Sequence, residues 1–371
     1  MLPGCLTVSD GLEYHDYETF HFLWAGVRSI NHPRPTIKDV AKLAGVSVGT
    51  VSKVINREGN VKPELQERVW KAIEQLNYRP NAVARSLKSS TTNTLAVLLG
   101  DITNPFQMTM AKAIEDVMTE HGYQLLISST KENPEIERKK LKMLYEKRVD
   151  GVIVCTTGKV NDELRSLIDR GIPLVIVDRP VMSVPADIVA DNNILGMELL
   201  AAHLKELGHT RIGIVHGDPD TVHGKIRHDS VVSAFPALGL QIPAPYHYFG
   251  NFQFKGGYAA IDYFFTMNEP PTAVLSANNS MTAGILKACR DKGIRIPRDL
   301  TLVTFGQLEY QWNLISPSVT YVSQAPAQIG AKAAELIIRR LKNPGHSEVS
   351  HVFITPELVV GESSGPISAR G

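Results

Sequence analysis

The chain has 371 residues, 43% of them hydrophobic, which calls for several packed units rather than one small core. Lys plus Arg number 39 against 38 Asp plus Glu, a net +1 that excludes a histone-like basic protein and an acidic solvating chain; any nucleic-acid surface must be local. The three cysteines, Cys5, Cys155 and Cys289, lie far apart with no CxxC pair, which excludes a disulfide framework or cysteine zinc site and fits a reducing, cytoplasmic compartment.

Residues 1–34 hold an apolar patch, Phe20 to Val27, preceded by Asp10, Glu13, Asp16 and Glu18 with no basic stretch, so they read as a disordered extension rather than a secretory signal. No apolar run approaches the ~18 residues of a membrane helix. Charge then changes sign: residues 35–94 carry ten Lys or Arg and five acids, against a mildly acidic remainder. A basic segment joined to a larger acidic body is the electrostatic footprint of a DNA-binding head on a regulatory domain.

That segment has the grammar of a helix-turn-helix. Thr36 and Asp39 mark a helix start, and Ile37, Val40, Ala41 and Ala44 repeat on one face. Gly45 stops the helix, Ser47 caps a second one, and Val51, Val54 and Ile55 give the second its apolar side. A third helix after Pro63 is expected to bury Leu65, Val69, Ile73 and Leu76. So short a join leaves the start of the second helix free to enter a major groove. Val48, Gly49 and Lys53 would then face bases, Val48 on a thymine methyl and Lys53 on a guanine edge, while Thr50, Ser52 and Asn56 suit phosphates. Thr36 and Ser47, at the two helix starts, belong to the same expected interface.

Two GxSxG matches suggest a hydrolase nucleophile elbow and fail on context. Gly45 to Gly49 follows helical periodicity rather than a strand, and Gly361 to Gly365 leaves no room for the helix an elbow needs. Gly217 to Lys225 has the wrong spacing for a phosphate loop, with Ile226 where Ser or Thr would bind magnesium, and the twelve histidines form no HExxH. No catalytic, metal or cofactor site is expected.

Thr36 to Asn56, TIKDVAKLAGVSVGTVSKVIN, resembles the headpiece of the lac repressor and galactose repressor (LacI/GalR) family of bacterial transcription regulators, and Arg79 to Lys88, RPNAVARSLK, resembles its hinge helix. The likeness runs to about residue 365 through Thr103 to Phe106, Arg148 to Val154, Ala190 to Asn192 and Leu207 to Val215. It implies a homodimer that binds operator DNA, with Leu87 wedged into the minor groove and Asn81, Ala84 and Lys88 beside it. Ten residues are too few to hold a helix in water, so the hinge is expected to fold on DNA.

From Leu95 onward aliphatic runs alternate with helical segments that stop at Gly122, Gly171, Gly208, Gly239 and Gly293. Five runs from Leu95 to Ala190 and five from Arg211 to Val322 predict two doubly wound parallel sheets, and the Ile329 to Leu341 helix is expected to return to the first. The resemblance makes this a two-lobed, periplasmic-binding-protein-like core with effector between the lobes. It carries over Asn104, Phe106, Asp191, Arg227, Phe252, Asn278 and Gln324 as effector-binding positions.

The chain departs from the family at Phe305-Gly306-Gln307, where an Asp is usual, at Asn279, again for Asp, and at Gly361, for Arg. Loss of acids beside Arg227 favours a sugar acid or sugar phosphate over a neutral sugar. The expected organisation is an extension (1–34), headpiece (35–79), hinge and linker (80–92), core (93–365) and tail (366–371). A transport protein would share the core without the headpiece, and an enzyme would need a GxGxxG loop or acid/base set in context; the sequence shows neither.

Overall fold

The structure, a computed structural model, describes residues 35–79, 91–308, 316–345 and 348–367. It divides between Arg85 and Ser86 into two compact units. The expected extension, most of the hinge and the last four residues lie outside the described residues.

The first unit is three helices, α1 (Ile37–Ala44), α2 (Val48–Asn56) and α3 (Pro63–Gln75). Asp39 starts α1 by accepting from the Thr36 amide at 2.8 Å and hydroxyl at 2.7 Å. Gly45 ends it in the left-handed region, φ +64°, where a Cβ would lie 2.5 Å from Arg68 Nη2, the group that donates to the Ala44 carbonyl. Ser47 Oγ accepts from the Thr50 amide at 3.1 Å and starts α2. Val40, Ala41, Ala44, Val51, Val54, Val69 and Ala72 form the core. Leu65, Ile73 and Leu76 are only half-buried, because three short helices enclose little volume and Ala72 takes the central place.

The second unit contains two six-stranded sheets. The first lobe alternates β1 (Thr94–Leu99), α4 (Pro105–Glu120), β2 (Gln124–Ser129), α5 (Pro134–Glu146), β3 (Gly151–Val154), α6 (Asn161–Asp169), β4 (Leu174–Val177) and β5 (Asp187–Asp191). The second continues with α7 (Asn193–Glu206), β6 (Ile212–His216), α8 (Val222–Ala237), β7 (His247–Phe249), α9 (Phe254–Phe264), β8 (Ala273–Ser276), α10 (Asn279–Asp291), β9 (Thr301–Phe305) and β10 (Thr320–Val322). Helix α11 (Pro326–Lys342) returns to the first lobe, where Ile329, Ala333 and Ile337 pack with Met110 and Ile114. Strand β11 (His351–Ile354) adds to that lobe's sheet, and β12 (Leu358–Val359) to the other's.

The orders are β11-β5-β4-β3-β1-β2 and β12-β10-β9-β8-β6-β7, all parallel except β12. Each sheet is covered on both faces, which is why strands such as Leu95–Leu99 are aliphatic throughout instead of alternating. All five glycines read as helix stops adopt positive φ. Strand β11 was not among the expected runs, because His351–Ile354 is an alternately exposed edge, whereas the strand-like Leu358 to Val360 before the second GxSxG is the two-residue β12.

Three crossovers join the lobes and are laced together. The Asn192 amide donates to the Ile354 carbonyl at 2.9 Å and the Ser323 amide to that of Glu357 at 2.7 Å. Among the described residues no helix is long and apolar enough to cross a membrane.

Candidate DNA-binding and effector-binding sites

In the first unit, Val48 (41% exposed), Gly49, Lys53 and Asn56 are on the surface of α2, with Thr50 and Ser52 half-buried. The hydroxyls of Ser47 and Thr50 lie 2.9 Å apart, so both serve the helix start, and Thr36 is exposed with its hydroxyl on Asp39. Val48, Gly49, Lys53 and Asn56 are thus the exposed residues among those expected on α2. Asn81, Ala84, Leu87 and Lys88 lie outside the described residues.

In the second unit a cavity of about 360 Å³ opens between the lobes. Its wall comes from the carboxyl ends of strands in both sheets, where the residues following a buried strand emerge. The first lobe gives Asp101, Asn104 and Phe106 after β1, Glu132 after β2, Thr157 and Lys159 after β3, and Asp178 and Arg179 after β4. The second gives Asp218, Thr221, His223 and Arg227 after β6, Asn251 and Phe252 after β7, Asn278 and Asn279 after β8, and Gln324 after β10.

Asn104 caps α4, accepting from the Phe106 amide at 3.0 Å. Asn278 caps α10, accepting from Met281, and its amide donates to the Phe252 carbonyl at 3.3 Å, fixing the aromatic loop. Phe252 stacks on His223, ring centroids 4.4 Å apart. Arg227, 4% exposed, donates from Nε to Asn193 Oδ1 and from Nη1 to the Ala277 carbonyl, each at 2.7 Å, and its guanidinium lies 3.8 Å from the Phe305 ring centre. It therefore joins α8 to the first crossover besides facing the cavity.

Asp191 departs from the expectation. It is not on the cavity wall; its two oxygens accept from Gln324 Nε2 at 3.0 Å and from the Ala325 amide at 3.3 Å, so it locks one crossover to the next. Asp178, one strand over, is on the cavity wall instead. At Gly306, where the family's Asp was missed, a Cβ would meet Gln324 Oε1 at 2.4 Å, so the Gln324 amide occupies that space.

Asp178, Arg179, Glu132 and His223 were missed by sequence reasoning. A signal existed for the first two: a charged pair directly after the buried run Leu174–Val177 marks the carboxyl end of a parallel strand. Burial pushes the Asp178 carboxyl up, against the opposing pull of Arg179 and Arg227. Burial, then the charges of Arg179 and Arg227, hold His223 neutral far below the ordinary imidazole range, and its Nδ1 has no hydrogen-bond partner among the described residues. Asp101, Glu132, Asp178 and Asp218 stand beside Lys159, Arg179 and Arg227 on the wall, so charges of both signs face the cavity.

A helix-turn-helix unit and a two-lobed α/β unit with a polar, aromatic-walled cleft define a DNA-binding regulator with a small-molecule receptor. Residues 36–81 match the pattern of bacterial regulatory proteins of the lacI family, and residues 201–364 that of the periplasmic binding protein-like domain. The chain is 33% identical over 331 residues to the HTH-type transcriptional repressor PurR of Haemophilus influenzae strain PittEE, covering 88% of this chain and 98% of that protein. It is 32% identical over 326 residues to the ribose operon repressor of Escherichia coli K12, covering 87% and 98%. A solved CelR–cellobiose complex is 28% identical over 89% of this chain and 100% of that one, with a TM-score of 0.66. The lac repressor dimer bound to operator and the anti-inducer ONPF, 22% identical over 89% and 99%, shares the fold at a TM-score of 0.80. The chain belongs to the lacI family of transcription regulators.

Proposed function

We propose that this chain is a cytoplasmic, homodimeric repressor without enzymatic activity, whose operator affinity is set by a neutral, sugar-like effector held between the lobes of the second unit. The observation that carries this is the cleft wall: carboxylates and amides from strand ends of both sheets surround the stacked Phe252–His223 pair. Such a wall suits a polyhydroxylated ring, with an aromatic face for its C–H surface and acceptors and donors for its hydroxyls. Asn104, Phe106, Asp178, His223, Arg227, Phe252, Asn278 and Gln324 form the proposed effector set. The relatives named for ribose and the complex with cellobiose support this class of ligand.

For DNA, the proposed set is Thr36, Ser47, Val48, Gly49, Thr50, Ser52, Lys53 and Asn56, joined by Asn81, Ala84, Leu87 and Lys88. The test is a gel shift with DNA flanking the gene, with and without a panel of neutral sugars. Operator binding should fall steeply as salt rises, because phosphates are neutralised by Lys and Arg. Binding that ignores salt, or that persists after deletion of residues 35–88, would refute the reading.

A further inference from the structure

Arg179 is 4% exposed, and a buried guanidinium needs a partner for its charge. Glu132 supplies it: the fork closes on both carboxylate oxygens, Nη1–Oε2 at 2.5 Å and Nη2–Oε1 at 2.7 Å, while Nε has only Asp178, at 3.6 Å. A bidentate carboxylate is also how such a fork would hold the carboxylate or phosphate of a ligand. Both residues line the cavity, and the Glu132 side chain is 42% exposed, so the pair is part of the wall and not of the core.

The local backbone is shaped around this contact. Lys131 and Glu132 both adopt positive φ, +54° and +56°, as does Asp178 at +67°. Non-glycine residues enter that region at a cost, and the strain persists only where surrounding structure holds it. Gly100 makes room for the carboxylate, since a Cβ there would lie 2.1 Å from Glu132 Oε1.

We propose that Glu132 determines the ligand class of the cleft: by filling the Arg179 fork and facing the cavity with its own charge, it rejects anionic ligands and leaves the site to neutral ones. The proposal rests on reading this cavity as the effector site. Removing Glu132 uncovers a buried guanidinium, which becomes an anion site.

The test uses the full chain and inorganic phosphate at constant ionic strength, read by thermal melting and calorimetry, on wild type, Glu132→Ala, Glu132→Gln and Glu132→Ala with Arg179→Met. Glu132→Ala should gain saturable phosphate binding at least tenfold tighter than wild type, and the double variant should lose the gain, which sets aside phosphate held by the basic headpiece. Glu132→Gln, closest in shape, should gain part of it and serves if the alanine variant does not fold. Variants that are folded yet no more responsive to phosphate than wild type overturn the proposal. A second arm compares ribose with ribose 5-phosphate. Wild type should prefer ribose and Glu132→Ala should lose that preference, whereas a wild-type preference for the phosphate ester also overturns it. Binding of neither counts against the sugar reading alone, and the phosphate arm still decides the role of Glu132.

Discussion

Asp191 holds its carboxylate against the second crossover, where burial and the neighbouring Asp178 push it up to about 6. The folded chain keeps that proton between roughly pH 4 and 6 while an unfolded Asp has released it, so this residue makes the fold less stable as pH rises through that window. Five histidines act in the opposite sense. Burial lowers His203, His209, His223 and His247, and takes His216 to about 3. Below about pH 6.5 the unfolded chain binds more protons than these rings bind in the fold, and stability falls on acidification. Five such groups outweigh the two raised carboxylates, so the melting temperature should drop between pH 7 and 5. Asp191→Asn, which can still accept from Ala325, should raise stability at pH 7.5 by about 1–3 kcal/mol and steepen the loss on acidification. Urea denaturation across pH measures both, and a variant that loses stability at pH 7.5 would show that the charge is needed by Gln324 and Ala325. Which of Asp178 and Asp191 opens on the cavity was not legible in the sequence. Both end aliphatic strands, and only the packing of the Gln324–Ala325 crossover decides.

At the scale of elements, the helix-turn-helix was legible because each device is local. Gly45 ends one helix, Ser47 starts the next, and the apolar positions keep a helical spacing. Ser47→Ala should cost the headpiece about 1 kcal/mol, the usual worth of an N-cap, seen as a lower melting temperature of the isolated residues 35–79 if they fold alone. Lys53→Ala should relax base preference at one position per half-site by about 1–3 kcal/mol, tested by binding to operator variants. A uniform loss on every sequence would move Lys53 to a phosphate. Central strands were legible for a different reason: burial on both faces leaves runs such as Leu174–Val177 with no polar residue. The edge strand β11 escaped, because it alternates exposed and half-buried residues and takes its place in the sheet from pairing with β5. The cavity wall was legible where a residue type is tied to a family pattern, as at Arg227 and Phe252, which both line it. It was hidden where the wall is made by a pair distant in sequence, as with Glu132 and Arg179, 47 residues apart.

Across the second unit as a whole, a ligand between lobes can alter a distant activity only by binding two lobe arrangements unequally. In the arrangement described here the lobes touch beside the cavity. Val222, the first residue of α8, packs into the first lobe's core cluster, so close to the loop after β3 that a Cβ on Gly158 would lie 2.6 Å from its methyl, with Val181 nearby. Val222 is not on the cavity wall, but His223 and Arg227 of the same helix are, so a movement of the lobes that opened the cleft at α8 would also part Val222 from the first lobe. If the contact forms only when the lobes close, Val222→Ala removes apolar contact from the closed arrangement alone. Losing roughly two buried methyl-sized groups corresponds to about 1–1.5 kcal/mol, or up to tenfold in an equilibrium. Effector affinity should therefore weaken by about that factor with every proposed ligand contact intact, and the ligand concentration that shifts operator binding should rise with it. Calorimetry on the variant and a ligand titration of the operator complex give the two numbers. If both equal those of wild type, the contact between Val222 and the first lobe is the same in the two arrangements, and closure at this edge is not how the ligand acts.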